Sequence, residues 1–344
     1  MVDFRHRNRA PEVIPVFSHL ISRRSLIVSA AAAGGAMTFP RHAHAAFPDR
    51  PLRMLAGFAA GGTVDSVVRV LASSMGPILG QQVVIENKPG GSGSIAGNAT
   101  MAAPADGYTM LIGTFSAAVA PALAKLPYDP TRDLTAVSQI ATVPLFIVTT
   151  GHSRFMSVAD VIAAAKAAPD TITFASAGAG SAGHMAAELF ARQTGIKLIH
   201  VPFRGAAPAM QALVAEQVQL LFDTPTTTLR ELVGQGKLRA LAAMSRKREA
   251  VLPDIPAIGE MSLGGDLDVQ AWQGVLVRAG TPKEIIATLN KAIIEAMQQP
   301  DTRQRIAAVG VEPTSSSPEA FDAFFKAEVA RWTDVARRAG ISAQ

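Results

Sequence analysis

One glycine-rich segment, Ser-Ala-Gly-Ala-Gly-Ser-Ala-Gly-His at residues 176–184, constrains this chain more than any other feature. It follows a short apolar stretch at 171–174 and precedes a helical pattern at 185–190, so it predicts a strand–loop–helix unit. A turn of small residues at a helix start exposes backbone N–H groups where the helix dipole favours negative charge. The segment therefore predicts contact with an anionic group.

A second stretch, residues 52–65, repeats this arrangement. It places Gly57, Gly61 and Gly62 between a strand pattern and a helical pattern that opens with Asp65. Small residues in such turns also serve packing alone, and an acid in a first turn also complements the helix dipole. Two such loops on one chain nevertheless favour a single anionic ligand that is held from two sides.

The first 45 residues have the pattern of a targeting segment. Arg23 and Arg24 precede an apolar run at 26–39, and residues 43–45 supply the small residues of a cleavage site. The run is too short to span a membrane as a mature helix. The pattern predicts a twin-arginine-type signal peptide, with general secretion as the alternative. We expect a soluble periplasmic protein that begins at Ala46.

Charge and cysteine content exclude several classes of protein. The leader has six arginines and two acidic residues, so it carries +4 of the net charge of +5 and leaves about +1 for the mature part. Such a balance gives no electrostatic footprint for nucleic acid. The absence of cysteine removes disulfides and thiolate metal sites. We expect neither a metal nor an organic cofactor.

Short apolar runs alternate with helical patterns after the leader, which is typical of parallel α/β sheets. The predicted strands are 52–57, 82–87, 109–114, 145–150, 171–175, 197–203, 218–223, 238–244 and 269–277. Because no Pro/Ser-rich linker divides the chain, it must cross between domains on structured strands, and 144–149 and 271–277 are the candidates. We expect lobe 1 to comprise residues 46–145 plus 270–344, and lobe 2 to comprise 146–269.

An exported NADP-dependent oxidoreductase is one alternative at this point. Gly178, Gly180 and Gly183 match the dinucleotide fingerprint in its strand–loop–helix context. That fingerprint also needs an acid after the next strand to hold a ribose, and this chain has Arg204 there. An arginine would suit a 2′-phosphate.

An exported serine hydrolase is another alternative, because residues 179–183 differ by one residue from a nucleophile elbow around Ser181. His184 lies too close in sequence to be the usual base.

A third interpretation is a binding loop, which needs no catalytic residue. Small residues let backbone amides approach a carboxylate, and Ser176 and Ser181 add hydroxyl groups.

Several motifs together carry a family resemblance. They are Phe58-Ala-Ala-Gly61-Gly62-x-x-Asp65, Val84-Ile-Glu-Asn87-Lys88-Pro-Gly-Gly91-x-Gly93, Ser181-x-x-His184, Val201-Pro-Phe203-Arg204-Gly205 and Trp272-Gln-Gly274. With these motifs at this spacing, residues 47–341 resemble the Bug-type extracytoplasmic solute receptors. Those receptors are the binding components of tripartite tricarboxylate transporters.

The resemblance implies a two-lobed periplasmic-binding-protein fold of type II, with two α/β lobes joined by two crossing strands. It also implies a monomer that is not an enzyme, binds a small organic carboxylate and delivers it to membrane permease subunits. The candidate ligand-binding residues are Phe58, Ala60, Gly61, Gly62, Asp65, Thr114, Ser116, Ser176, Gly178, Gly180, Ser181, His184, Phe203, Arg204, Gly205 and Asp223. Phe203 stands where the family more usually has tyrosine. With Phe58 and Phe115, it would admit a ring or an aliphatic chain.

Overall fold

Two mixed β-sheets carry the fold. The computed structural model describes residues 47–58, 60–90, 93–263 and 267–341. The predicted signal peptide lies outside these residues and stays a prediction. Among the described residues, no helix is both long enough and apolar enough to cross a membrane.

Eleven strands lie within the described residues. In chain order they are β1 Leu52–Ala56, β2 Val83–Asn87, β3 Thr109–Thr114, β4 Leu134–Pro144, β5 Phe146–Thr150, β6 Thr173–Ser176, β7 Ile199–Pro202, β8 Leu220–Asp223, β9 Leu238–Ala243, β10 Gln270–Arg278 and β11 Glu312–Pro313. The first sheet has the order β11-β4-β10-β3-β1-β2, and the second has the order β7-β6-β8-β5-β9. The second sheet therefore comes from one continuous stretch of chain, whereas the first takes strands from both sides of it.

Helices cover the sheets. In chain order the described ones are α1 Thr63–Leu79, α2 Ser94–Ala102, α3 Phe115–Leu123, α4 Pro130–Asp133, α5 Val158–Ala167, α6 Ala182–Thr194, α7 Ala206–Val214, α8 Thr227–Gly234, α9 Lys283–Gln298, α10 Pro300–Ala308 and α11 Pro318–Arg338. Local chemistry explains several bounds. The hydroxyls of Ser157 and Ser317 cap the starts of α5 and α11, while Gly80 and Gly195 end α1 and α6 in the left-handed conformation.

Parallel pairing decides where the loops lie. β1 pairs in parallel with both β2 and β3, and β6 pairs in parallel with both β7 and β8. Since the carboxyl ends of parallel strands share one edge of a sheet, the loops after β1, β2 and β3 lie together. The loops after β6, β7 and β8 lie together for the same reason.

The chain passes between the sheets at Leu145. β10 is antiparallel to both β3 and β4, so β4 runs parallel to β3 and ends at the loop-bearing edge of the first sheet. β5 is antiparallel to β8, so it begins at the loop-bearing edge of the second sheet. The return passage lies alongside, where the Met244 N–H donates to the Leu145 carbonyl at 2.7 Å and the Val269 N–H donates to the Met244 carbonyl at 2.8 Å. The two passages therefore join the loop-bearing edges of the two sheets.

A shared apolar core lies across this junction. It contains Leu111 and Trp272 from the first sheet together with Phe174 and Phe222 from the second, all of them buried. Full burial of one such side chain contributes about 1.5–3 kcal/mol. Two further clusters fill the other face of the first sheet and the other face of the second. The lobes are thus continuous in their packing.

A buried carboxylate ties the C-terminal helix to this core. Glu328 on α11 accepts the indole N–H groups of Trp272 at 3.1 Å and of Trp332 at 2.8 Å. Burial raises the pKa of Glu328. Trp332 also packs against Phe115, with the ring centroids 4.8 Å apart. Helix α11 is thereby connected to both β10 and the start of α3.

The structure differs from the sequence-based expectation in three ways. Strands β4 and β11 were not predicted; in β4 the apolar pattern is broken by Ser138, which is fully buried and hydrogen-bonds to the backbone of Ser316. The second passage lies at 244–269, before β10, and not at 271–277, because β10 belongs wholly to the first sheet. The sheets are mixed rather than parallel, since β5 and β10 run against their neighbours.

Candidate functional site

Predicted site residues from both sheets lie beside the passages between them. Thr114, the last residue of β3, pairs with Gln273 on β10. Asp223, the last residue of β8, pairs with Phe146 at the start of β5. Leu123 of α3 occupies the place where Gly180 would carry a side chain. The loops of the second sheet therefore meet the helices of the first sheet at this junction.

Asp65 is buried, and its carboxylate is used within the first loop. One oxygen, Oδ2, accepts the Gly61 N–H at 2.9 Å and Nε of Arg69 at 2.8 Å, and Oδ1 accepts Nδ2 of Asn87 at 2.8 Å. The hydrogen bond from Arg69 is the largest influence that lowers the pKa of Asp65 to about 2. The carboxylate stays ionised at neutral pH, and its observed contacts hold the loop in place.

The rest of the first loop is open. Ala60, Gly61 and Gly62 are exposed, and a side chain added at Gly61 would meet nothing within 4 Å. Gly62 is the N-cap residue of α1 and offers no side-chain hydrogen bond, so the first-turn N–H groups keep their capacity to bind. Phe58 is half-buried, and its carbonyl accepts a hydrogen bond from Asn87.

The start of α3 is also uncapped. Thr114 is its N-cap residue and is buried, but its hydroxyl makes no capping hydrogen bond, and Ser116 follows it half-buried. Gln273, the partner of Thr114, is 4% exposed, and its side-chain oxygen has no hydrogen-bond partner among the described residues. An unpaired buried oxygen is costly. Gln273 is thus a candidate contact; it lies within the Trp272-Gln-Gly274 motif but was not among the predicted site residues.

The second glycine-rich loop is hydrogen-bonded within itself, which corrects the expectation of bare amides. The Gly178 N–H donates to Oγ of Ser176 at 3.2 Å, and the Gly180 N–H donates to Nδ1 of His184 at 3.0 Å. The Ser176 hydroxyl also lies within donating distance of the Gly178 carbonyl, at 3.1 Å. These two amides and this hydroxyl are therefore occupied in the observed conformation.

Ser181 closes this loop and caps α6. Its hydroxyl oxygen accepts the His184 N–H at 3.3 Å. The N–H groups of Ala182 and Gly183, in the first turn of the helix, remain as donors for a ligand. Gly183 lies so close to β8 that a side chain there would collide with the carbonyl oxygen of Phe222. The start of α6 is therefore fixed firmly against the sheet.

His200 on β7 supports this loop and was not among the predicted site residues. Its Nε2 lies 2.7 Å from Oγ of Ser176, and its ring stacks on His184 with centroids 3.8 Å apart. Phe174 stacks on His200 at 4.9 Å. Burial, and secondly His184, lowers the pKa of His200 to about 4. The imidazole is therefore neutral at neutral pH.

The segment after β7 adds an exposed cation and another open helix start. The Phe203 N–H donates to the Ser176 carbonyl at 3.1 Å, and its side chain is half-buried. Arg204 is exposed. Gly205, at a φ of 116° that favours glycine, begins α7 without a side-chain cap.

Asp223 is 9% exposed, and one of its two carboxylate oxygens is unpaired. Oδ1 accepts the Thr224 N–H at 2.7 Å, whereas Oδ2 has no hydrogen-bond partner in the described part of the chain. Burial raises the pKa of Asp223 to about 6. The residue lines a cavity of about 650 Å³ between α7 and α8, together with Ala206, Met210 and Leu232. A hydrogen-bond donor would satisfy the free oxygen.

The chemistry of this region is that of binding. It combines N–H groups at open helix starts, the Ser181 hydroxyl, the Arg204 guanidinium and the Asp223 carboxyl. Within the described ranges, no three histidine or acidic side chains are grouped so that they could hold a metal ion.

The fold and this region define a two-lobed solute receptor of the periplasmic-binding-protein class. The family model described as "Tripartite tricarboxylate transporter family receptor" matches residues 67–341. The chain belongs to this family.

Relatives with known names agree. BugT of Bordetella pertussis is 35% identical over 297 residues, which cover 86% of this chain and 90% of BugT. An R. palustris protein solved with adipate is 34% identical with a TM-score of 0.74, and the match covers 87% of this chain and 100% of that one. MatC from Rhodopseudomonas palustris, solved with bound malate, is 31% identical with a TM-score of 0.71, over 84% and 99% of the two chains.

The family and its solved members are receptors, so the chain is a solute-binding receptor and not an enzyme. The oxidoreductase and hydrolase alternatives are not supported. For the hydrolase, the structure adds that Ser181 caps a helix, whereas His200 contacts Ser176.

Proposed function

We propose that this receptor captures a small organic carboxylate between lobe 1, residues 46–145 plus 270–344, and lobe 2, residues 146–269. The observation that carries the proposal is that α1, α3 and α7 begin without side-chain caps at the two edges that meet at the junction. Open N–H groups and helix dipoles favour an anionic group. The adipate and malate complexes of relatives support the carboxylate class.

The candidate residues divide into two groups in this proposal. Donors to the carboxylate come from Gly62, from the first turns of α1, α3 and α7, from Ser181 with the N–H groups of Ala182 and Gly183, and from Arg204. Asp65, Ser176 and His184 act by holding the loops, because their polar atoms are already paired within the protein.

Asp223 selects the far end of the ligand. Its unpaired Oδ2 accepts a hydroxyl, an ammonium group or the proton of a second carboxyl group. An ionised second carboxylate is repelled by the ionised Asp223. Phe58 and Phe203 leave room for an aliphatic or aromatic body.

A thermal-shift screen of residues 46–344 tests the proposal, with malate, adipate, tricarboxylates, amino acids and aromatic acids. An acid at 100 times its Kd adds about 2.7 kcal/mol to the stability. The dimethyl ester of a binding acid is the matched control, because it keeps the shape and removes the charge. A flat screen, or an ester that works as well as its acid, contradicts the proposal.

Closure of the lobes is the expected response to binding, because the two passages at Leu145 and Met244 form a short hinge. Small-angle scattering should show a smaller radius of gyration with the acid than without it. An unchanged radius at confirmed saturation would indicate a rigid, preformed site.

We further propose that the receptor works as a periplasmic monomer and delivers its ligand to the permease subunits of a tripartite tricarboxylate-type transporter. The family description supports the link to that transporter.

The predicted twin-arginine signal peptide is tested separately. Replacing both Arg23 and Arg24 by lysine should hold the precursor in the cytoplasm, and normal export of that variant would assign it to general secretion.

A further inference from the structure

The loop at 176–184 takes its shape from side chains, and one of them has no place in the proposed function. Ser176 and His184 accept the N–H groups of Gly178 and Gly180. His200 contacts both acceptors, since its Nε2 lies 2.7 Å from Oγ of Ser176 and its ring stacks on His184 at 3.8 Å with an interplanar angle of 11°. It is the point at which the two supports of the loop meet.

The hydrogen bonds of these side chains depend on one another. Because Nδ1 of His184 accepts a hydrogen bond, the hydrogen of the neutral ring is on Nε2, which lies 3.7 Å from Glu188. Ser176 has a single hydroxyl hydrogen. When that hydrogen goes to the Gly178 carbonyl, Nε2 of His200 must donate to Oγ.

The supports are shielded from water. Ser176 is 0% exposed and His184 is 4% exposed, so a hydrogen bond lost here is not replaced by solvent. Phe174 stacks against both imidazoles, with its ring centroid 4.9 Å from that of His200 and 6.3 Å from that of His184. Helix α7, which packs on the other face of β6, has no titratable side chain. The carboxylate of Glu188 on α6 lies 3.7 Å from Nε2 of His184.

We propose that His200 is a positioning residue of the binding site. Through Ser176 and His184 it fixes the turn that presents the first-turn N–H groups of α6 to the ligand. The inference rests on the proposed function, because that function gives those N–H groups their ligand. It assigns a role to a residue that lies 16 positions beyond His184 and reaches the loop only through the pairing of β6 with β7.

Three variants separate the two contacts of His200. His200→Phe keeps a stacked ring and removes Nε2, His200→Gln keeps a polar group that can reach Ser176 and removes the ring, and His200→Ala removes both. His152→Ala is the matched control, because His152 is an exposed histidine in the loop after β5 of the same sheet.

Calorimetric titration with malate and with adipate at pH 7.5 gives the first readout. Loss of a hydrogen-bond partner to a buried hydroxyl should weaken binding about tenfold in His200→Phe, and further in His200→Ala. His200→Gln should stay within about threefold of the parent, because it restores the donor to Ser176. His152→Ala should bind as the parent does.

The amide resonances of Gly178 and Gly180, in protein labelled with ¹⁵N-glycine and free of ligand, give the second readout. The Gly178 resonance should move in His200→Phe, and the Gly180 resonance should move in His200→Gln. Parent-like resonances and parent-like affinity in both His200→Phe and His200→Ala would overturn the inference. If the parent binds neither acid, the proposed function fails for these ligands, while the glycine resonances still decide the role of His200.

Discussion

The two glycine-rich loops share one hydrogen-bonding pattern, but they differ in their exposure and in the capping of the helix that follows. In each loop a glycine N–H donates to the side chain four residues later, from Gly61 to Asp65 in the first and from Gly180 to His184 in the second. The first loop is exposed and leads into a helix without a cap, whereas the second is packed against α3 and leads into a helix capped by Ser181.

This difference shows that a strand–glycine–helix pattern does not by itself say which amides are free. The acceptor in the first loop is an ionised carboxylate held by Arg69, and it leaves the next helix start open. The acceptor in the second loop is a neutral imidazole within a buried stack. The first loop is therefore suited to bind an anionic group directly, whereas the second is suited to hold a fixed conformation beside the ligand.

The largest expected effect on stability comes from comparing one glycine of each strand–loop–helix segment. Gly183→Ala should lower the free energy of unfolding by about 3 kcal/mol, because the added methyl group collides with the backbone of β8 and overpacks the helix start. Gly61→Ala should cost only about 1 kcal/mol, since the added methyl group meets open space and the only cost is the backbone strain of alanine at a φ of 86°. Urea unfolding measures both values, and equal losses would contradict the contrast between an open and a packed loop.

A second contrast sets the unpaired carboxyl of Asp223 against the paired one of Asp65. The folded pKa of Asp223, about 6, lies above the ordinary value of 3.8, so the ionised form costs stability at neutral pH and this cost disappears as the pH falls from 6 to 3.8. Asp223→Asn should therefore be about 2 kcal/mol more stable than the parent at pH 7.5, and equal to it near pH 4. The same variant should also change which acids bind. A variant that is less stable at pH 7.5 would mean that Oδ2 has a partner.

The ionised carboxylate of Asp65 has the opposite effect, because it stabilises the folded protein. Its folded pKa of about 2 lies below the ordinary value of 3.8, so its contribution to stability is complete above pH 3.8 and is lost as the pH falls towards 2. Asp65→Asn should cost about 2 kcal/mol at pH 6 and should remove this part of the acid dependence. Asp301→Asn, at an exposed position on α10, is the control. All acids should bind more weakly to Asp65→Asn in the same proportion, and a changed order of preference would make Asp65 a ligand contact.

The smallest expected effect tests the contact between the second loop and α3. Gly180→Ala should cost about 1–2 kcal/mol, from a φ of 75° and from the crowding of Leu123. Adding Leu123→Ala should recover part of the loss, because it removes the crowding and leaves the backbone strain. A double-mutant cycle in urea measures this coupling, and strictly additive losses would show that the side chain and the loop do not interact.

The family, the fold class and most strands could be predicted because their signals are local. Short, nearly continuous apolar runs mark β1, β3 and β8, and the motifs around Gly61, Ser181 and Phe203 lie in loops that follow strands. β4 escaped prediction because Ser138 finds its partner in Ser316, which is far away in the sequence. Helices α2 and α3 also begin without a side-chain cap, so the sequence carries no capping signal at their starts.

The contacts between neighbouring strands at the site could not be predicted, because they depend on the register of the strands. The contact of His200 with Ser176 exists only because β7 pairs with β6. Likewise, the position of Gln273 beside Thr114 follows from the pairing of β10 with β3. Residue types at the loops indicate the class of ligand, whereas the strand pairing determines which distant side chains lie beside the loops.

The central claim is that a carboxylate is held by open helix starts and not by the amides of the second glycine turn. The most direct test is a titration of ¹⁵N-labelled protein with the acid that gives the largest thermal shift, while the backbone amide resonances are followed. The account predicts the largest changes at residues 62–64, 115–116 and 182–183, with smaller ones at Gly178 and Gly180. Saturation that moves Gly178 and Gly180 most, and leaves residues 62–64 unchanged, would contradict it.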